Sequence, residues 1–246
     1  MFLRALANAG RQIPNDVHRL QGTLRRQSLI RRYFRGHSVH KLHIGAGPNE
    51  LPGWLNADFE PRRQFTIYMD ATKPFPFLDN GFDYIFSEHM IEHVPFADAL
   101  RMLFECHRVL KPGGKIRIAT PNLSKIAALA TKHPSDEQKR YVAWARANHV
   151  EHSIDPHTAD TYRPSYVVNN FFWGFGHYFV YDLETLEDAF TAAGFERVSP
   201  FAVGESDDNN LSGLESHASL IGKEFNDFET MVMQGTKILS TVKLPD

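Results

Sequence analysis

From Lys41 onward, short apolar runs are followed by glycines and acids set at or just past their ends. The runs are Lys41–Gly45, Leu55–Phe59, Phe65–Met69, Phe82–Phe86 and Lys115–Ala119. Near-continuous apolar runs of this length predict strands of a parallel sheet, covered on both faces. Ligands of such sheets sit beyond the carboxyl ends of the strands, so the polar residues gathered there outline a binding crevice. Phe96–Leu110 predicts a helix, with Ala99, Leu103, Cys106 and Leu110 on one apolar stripe. Cys106 is then a small buried hydrophobe rather than a nucleophile. Asn56 follows Gly47 by nine residues that include Pro48, Pro52 and Gly53. A parallel crossover ordinarily takes about a dozen residues or more, so the first helix is expected to shrink to one turn around Leu51–Trp54.

The flanks follow weaker patterns. Residues 1–36 predict a helix in two pieces broken near Pro14, with Gly36 as its stop. After the fifth strand, helices are expected at Leu123–Lys132 and Asp136–Asn148, followed by a histidine- and aromatic-rich segment reaching His177. A helix Leu183–Ala193 is closed by Gly194, and Phe195–Val203 and Glu215–Ile221 predict two further strands. The resulting division is a basic arm at 1–40, a domain at 41–222 with a lid inserted at about 123–180, and a tail at 223–246.

Composition narrows the class. A 42% hydrophobic and 12% aromatic content supports a folded core, and a single cysteine excludes an intramolecular disulfide framework or a cysteine-based zinc cluster. No run approaches the roughly 18 apolar residues of a spanning helix, and Arg4 and Arg11 interrupt any signal-peptide core, so a cytoplasmic protein is expected. Residues 1–41 carry nine Lys or Arg against Asp16 alone, leaving 18 basic and 28 acidic residues in the remainder. Such an arm either makes a peripheral membrane or protein contact, or docks on its own acidic domain. The acidic balance of the domain speaks against a nucleic-acid partner.

Read in order, KLHIGAG, LNADF, TIYMDATKPFPF, FDYIFSEHMIEHV and RVLKPGGKIRIATPN resemble the class I S-adenosylmethionine (SAM)-dependent methyltransferases, particularly the type 11 group. The resemblance implies a Rossmann-like α/β fold with a seven-stranded sheet ending in an antiparallel hairpin at its edge, here formed by the last two predicted strands. It implies SAM as cofactor, with Asp58 on the ribose hydroxyls, Asp70 and Ala71 at the adenine, and Gly45, Ala46 and Gly47 against the methionine portion. Ser87 and Glu88 would border the amino acid tail. Many members carry an acid two residues before the first glycine; this chain has His43, which casts doubt on how the cofactor ammonium is held.

An acceptor hydroxyl calls for a general base. His89 and His93, one helical turn apart with Glu88 and Glu92 beside them, are the nearest candidates, and His89 at the strand end is preferred. His149, His152, His157 and His177 form a second group whose readings are an acceptor base, a metal site or a polar lid; His177 joins the catalytic candidates. No metal is expected: the Glu-His-Met-Ile-Glu-His string differs from the His-Glu-x-x-His zinc pattern. By family analogy the acceptor is a small molecule or glycan hydroxyl, associated with surface polysaccharide synthesis. The rival is a non-catalytic or degenerate SAM-binding scaffold that recruits a glycan-assembly partner or membrane.

Overall fold

The computed structural model describes residues 2–150 and 162–238, with side chains described from Val17 onward. Seven strands form one sheet in the order β3-β2-β1-β4-β5-β7-β6. They are β1 (Lys41–Ile44), β2 (Leu55–Asp58), β3 (Ile67–Tyr68), β4 (Phe82–Glu88), β5 (Leu110–Pro121), β6 (Glu196–Phe201) and β7 (Thr230–Thr236). The first five run parallel to one another, and β7 runs antiparallel between β5 and β6. This is the Rossmann-like α/β sheet that the sequence predicts, with the antiparallel element in place.

The partner of β6 differs from the sequence reading. Glu215–Ile221 is not a strand: it forms a turn and the short helix α7 (Ala218–Ile221), while β7 comes from the segment read as a tail. The reason lies in side-chain demand. Thr230-Met-Val-Met-Gln-Gly-Thr is buried along nearly its whole length between β5 and β6, whereas none of the residues of α7 is buried. A strand enclosed on both edges needs that apolar continuity.

The arm also differs. One helix, α1 (Phe2–Gly36), runs across Pro14 without the expected break. Proline forfeits one backbone hydrogen bond, and 35 residues of helix carry the chain past it. Its C-terminal half belongs to the core: Ile30 and Tyr33 are buried, and the Tyr33 hydroxyl donates to the Lys41 carbonyl at 2.9 Å and accepts the Lys41 amide at 2.6 Å. Arg19 lies 3.5 Å from Glu60 and over the Phe59 ring, Arg26 donates to the Tyr68 carbonyl, and Arg32 lies over Phe65. These arm cations rest on the domain's own surface.

Helix α2 (Phe96–Val109) buries Ala99, Met102, Leu103, Cys106 and Val109, and α6 (Leu183–Ala192) buries Leu186, Ala189 and Phe190 in the same cluster. Cys106 is fully buried, and burial pushes its thiol pKa up, as a core role requires. The shortened first crossover is a turn closed by Trp54 N–H on the Leu51 carbonyl at 3.2 Å, with no helix. Trp54 and Phe86 pack there against Leu211, so the 202–217 loop does the covering. Lys111-Pro112-Gly113-Gly114 loops out within β5: two steps of β4, Phe82 to Tyr84, face five of β5, Leu110 to Lys115.

Over the carboxyl ends of the strands, α3 (Leu123–Ala127), α4 (Asp136–His149), α5 (Pro164–Trp173) and α8 (Lys223–Glu229) build a second apolar cluster from Ile126, Leu129, Tyr141, Val142, Ala145, Val167, Phe171 and Phe228. Ser135 caps α4 reciprocally with Gln138, a capping box that fixes where the helix starts.

Candidate active site

Two cavities open beyond the ends of β1, β2 and β4. The first, about 390 Å³, is lined by Ile44, Gly45, Asp58, Asp70, Met90 and His93 among others. The second, about 240 Å³, lies under α4 and α5 and is lined by His89, Glu92, His93, Tyr141, Phe171 and His177 among others. His93 lines both. The larger cavity falls within the roughly 300–1,000 Å³ typical of small-molecule sites.

The first cavity is built on the loop after β1. Gly45 has φ +73°, and a Cβ there would stand 2.5 Å from Met90 Cγ, so both conformation and contact call for glycine. Gly47 also has positive φ, +49°, with nothing within 4 Å of where its Cβ would be. Its N–H donates to Oδ2 of Asp58 at 2.7 Å, while Oδ1 accepts the Glu60 amide at 2.6 Å. Each carboxylate oxygen keeps a further lone pair. Asp70 Oδ1 accepts both the amide and the hydroxyl of Thr72, at 2.9 and 2.7 Å. Gly45, Asp58, Asp70 and Ala71 thus meet around one space. Ala46 is buried behind it.

The other two expected tail residues are placed differently. Ser87 is buried in the sheet, its hydroxyl without a protein partner. The Glu88 carboxylate accepts the Ser216 amide and hydroxyl and the His217 amide at 2.9–3.0 Å, so it serves the loop before α7. Arg117, fully buried in β5, holds the same loop through Glu215 and the Glu205 carbonyl. His43 is buried and bonds Asn56 Oδ1 at 3.0 Å; Asn56 in turn fastens Leu51 and Trp54. Burial lowers the His43 pKa, leaving a neutral ring that organises the short crossover.

The second cavity joins histidines from separate elements. His89 and His93 do not share an α-helix. His89 follows β4 directly in a left-handed conformation, φ +46°, and Ile91–His93 is a single 3₁₀ turn. Non-glycine residues adopt that backbone at a cost that surrounding structure must offset, and such positions concentrate at functional sites. The turn places Glu92, fully buried, between the two rings: Oε1 is 3.3 Å from His89 Nδ1 and 4.0 Å from His93 Nε2. Glu92 Oε2 accepts the Thr120 hydroxyl at 3.0 Å. Burial works against ionising Glu92, but the His89 hydrogen bond and the charges of His89 and His93 outweigh it and lower the pKa. Burial likewise opposes a charged His89, and Glu92 outweighs it, so the His89 pKa is raised. His89 Nε2 reaches Thr230 Oγ1 at 3.2 Å, and its ring lies 4.0 Å from that of His217.

His177 comes from the lid, 5.0 Å ring to ring from His93, and burial lowers its pKa. His149 lines the wall, whereas His152 and His157 lie outside the described residues. The sequence alone missed Tyr141, His217 and Glu229. The Tyr141 hydroxyl donates to Glu229, and His217 Nε2 stands 3.4 Å from that carboxylate. Tyr141 falls on the apolar stripe of α4 with Val142 and Ala145, which could have marked it; His217 and Glu229 carry no local signal.

Residues 42–118 match the model of a methyltransferase domain family. That match covers β1 through most of β5, the strands that carry the glycine loop, Asp58 and Asp70. Over that segment the chain is similar to a methyltransferase domain, in line with the resemblance its motifs carry. Over 69 residues it is 36% identical to phosphoethanolamine N-methyltransferase 2 of Caenorhabditis elegans, a stretch that covers 28% of this chain and 14% of that relative's length. Among solved structures it is similar to a SAM-dependent methyltransferase from Archaeoglobus fulgidus (18% identity, 86% of this chain and 91% of that chain, TM-score 0.46). It is also similar to Haemonchus contortus phosphoethanolamine N-methyltransferase 2 in complex with SAM (18% identity, 87% and 52% covered, TM-score 0.44). No helix among the described residues is long and apolar enough to cross a membrane.

Proposed function

We propose that this chain is a SAM-dependent methyltransferase that transfers a methyl group to a hydroxyl of a small molecule or a single glycan residue held beneath α4 and α5. The observation that carries this reading is the junction of the two cavities at His93, which puts a cofactor-sized cleft beside a smaller pocket lined by histidines. A pocket of about 240 Å³ suits one sugar-sized group.

The residues of the first cavity fit SAM. Asp58 presents carboxylate lone pairs to a ribose diol, Asp70 and Ala71 border the adenine, and Met69, Met90 and Val94 give it apolar walls. The open space beside Gly47 admits the methionine portion against Gly45, Ala46 and Gly47. Glu88 and Ser87 are left with supporting roles. Bound SAM supplies an electrophilic methyl on a good leaving group. The chain's part is to align the acceptor oxygen with it, exclude water under the lid and receive a proton. His89, held by Glu92, is the proposed base at the pocket wall; the Thr230 hydroxyl can rotate to leave Nε2 as acceptor. Surface polysaccharide building blocks are one acceptor class that matches these features.

The test is formation of demethylated cofactor by the full chain with SAM, against a panel of sugar hydroxyl acceptors and phosphoethanolamine. Turnover with a hydroxyl acceptor supports the reading. Turnover with phosphoethanolamine alone replaces it with an amine-directed one. SAM binding without turnover on any acceptor favours the scaffold reading, to which the replaced acid at His43 and the diverted Glu88 lend support.

A further inference from the structure

No metal is expected from the Glu-His-Met-Ile-Glu-His string, yet the fold gathers three ligand-type side chains from two separate segments. Glu92 and His93 come from the 3₁₀ turn after β4, and His177 comes from the lid after α5. One ligand atom of each lies within 4.8 Å of the others. Ligands sharing a tetrahedral zinc at about 2.0–2.1 Å stand closer together, so side-chain rotations of about an ångström would close the set. We propose that Glu92, His93 and His177 form a divalent transition-metal site, of the zinc type, with an open coordination position facing the acceptor pocket.

Independent observations point to a ligand there. Glu92 is fully buried, and apart from His89 Nδ1 at 3.3 Å its Oε1 has no hydrogen-bond partner; it is the oxygen turned toward both His89 and His93. His177 Nδ1 is likewise buried and unpartnered. Buried polar atoms are rarely left without partners, and an unpartnered imidazole nitrogen beside a buried carboxylate oxygen and a second histidine suits a borderline cation. The remaining parts of a metal site are present too. Glu92 Oε2 is held by Thr120, an outer partner that orients the carboxylate. The His93 ring is positioned by Nδ1 at 3.4 Å from the Gly176 carbonyl. Both histidines and Glu92 line the same cavity as Tyr141 and Phe171, so a bound ion would have free positions facing an acceptor. Three protein ligands with an open position is the arrangement of catalytic rather than structural zinc.

Two consequences follow. The ion would tie the lid to the sheet end through His177, and it would polarise an acceptor hydroxyl, easing its deprotonation. The site itself stands independently of which acceptor is methylated.

The experiment is a calorimetric titration of EDTA-stripped full chain with zinc chloride alone, followed by cobalt(II) loading and its visible absorption. One equivalent binding at micromolar Kd or tighter is expected. His177→Ala and His93→Ala should each weaken it at least tenfold and alter the cobalt spectrum, while His133→Ala, at an exposed position outside the pocket, leaves both unchanged. Because Glu92→Gln alters a buried group, the two histidine variants, checked for folding by circular dichroism, carry the decision. Absence of stoichiometric binding, or equal binding by the His93 and His177 variants, would overturn the site as scattered surface-histidine chelation.

Discussion

The Gly47 amide donates to Oδ2 of Asp58 at 2.7 Å, which ties the glycine loop after β1 to the carboxylate at the end of β2. One side chain thereby shapes the loop and faces the cleft. Asp58→Ala is expected to weaken SAM binding by at least tenfold, in line with about 1.5–3 kcal/mol for hydrogen bonds to a charged group. Calorimetry checks this, with a thermal melt to show that the fold persists. Unchanged affinity would remove Asp58 from the ribose.

His89 holds its left-handed backbone between Glu92 and Thr230. His89→Ala should lower kcat by about 10²–10⁴-fold, the usual worth of a positioned base, while SAM affinity stays the same. A variant with full turnover on the identified acceptor would return His89 to a purely structural role.

Tyr33 couples α1 to the sheet. Its hydroxyl meets the Lys41 amide and carbonyl and the Gly53 carbonyl at 3.2 Å, and burial raises its pKa to about 12 against the lowering effect of the Lys41 hydrogen bond. Tyr33→Phe strands buried backbone groups and should cost about 1–3 kcal/mol. Chemical denaturation measures this; a loss near zero would mean that the arm is dispensable to the core.

The Glu105–Arg108 pair clamps the loop before β4. Arg108 bonds Glu105 at 2.7 Å and the Phe75 and Phe77 carbonyls, and Glu105 accepts the Phe75 amide at 2.6 Å. The Arg108 hydrogen bond lowers the Glu105 pKa below its ordinary 4.5. A depressed carboxyl contributes stability above the unfolded pKa and loses it as pH falls through the folded one. Stability should therefore decline below about pH 4.5, and Glu105→Gln should flatten that part of the curve while lowering stability at neutral pH. Parallel acid limbs in variant and parent would contradict this role.

Much of this architecture was readable along the chain because the parallel strands announce themselves as apolar runs ended by Gly45, Asp58 and Asp70. The short crossover was equally legible from Pro48, Pro52 and Gly53. The hairpin strand falls elsewhere because the Glu215 carboxylate and the His217 amide are taken up by Arg117 and Glu88, contacts made across more than 90 residues that no local pattern reveals. The pocket was half legible. Histidine identity marked His89, His93 and His177, but their meeting through a buried Glu92 depends on a left-handed turn that nothing local encodes. Glu88 looked like a cofactor ligand from its position after β4, and only the fold shows it spent on Ser216 and His217.

The most direct test of the account is calorimetric titration of the full chain with SAM and with its demethylated product. Binding of both near one equivalent at micromolar Kd is predicted from the Gly45–Gly47 loop, Asp58 and Asp70 meeting in one cleft. No binding of either at millimolar ligand would contradict the cofactor site and leave a methyltransferase-like scaffold without its cofactor.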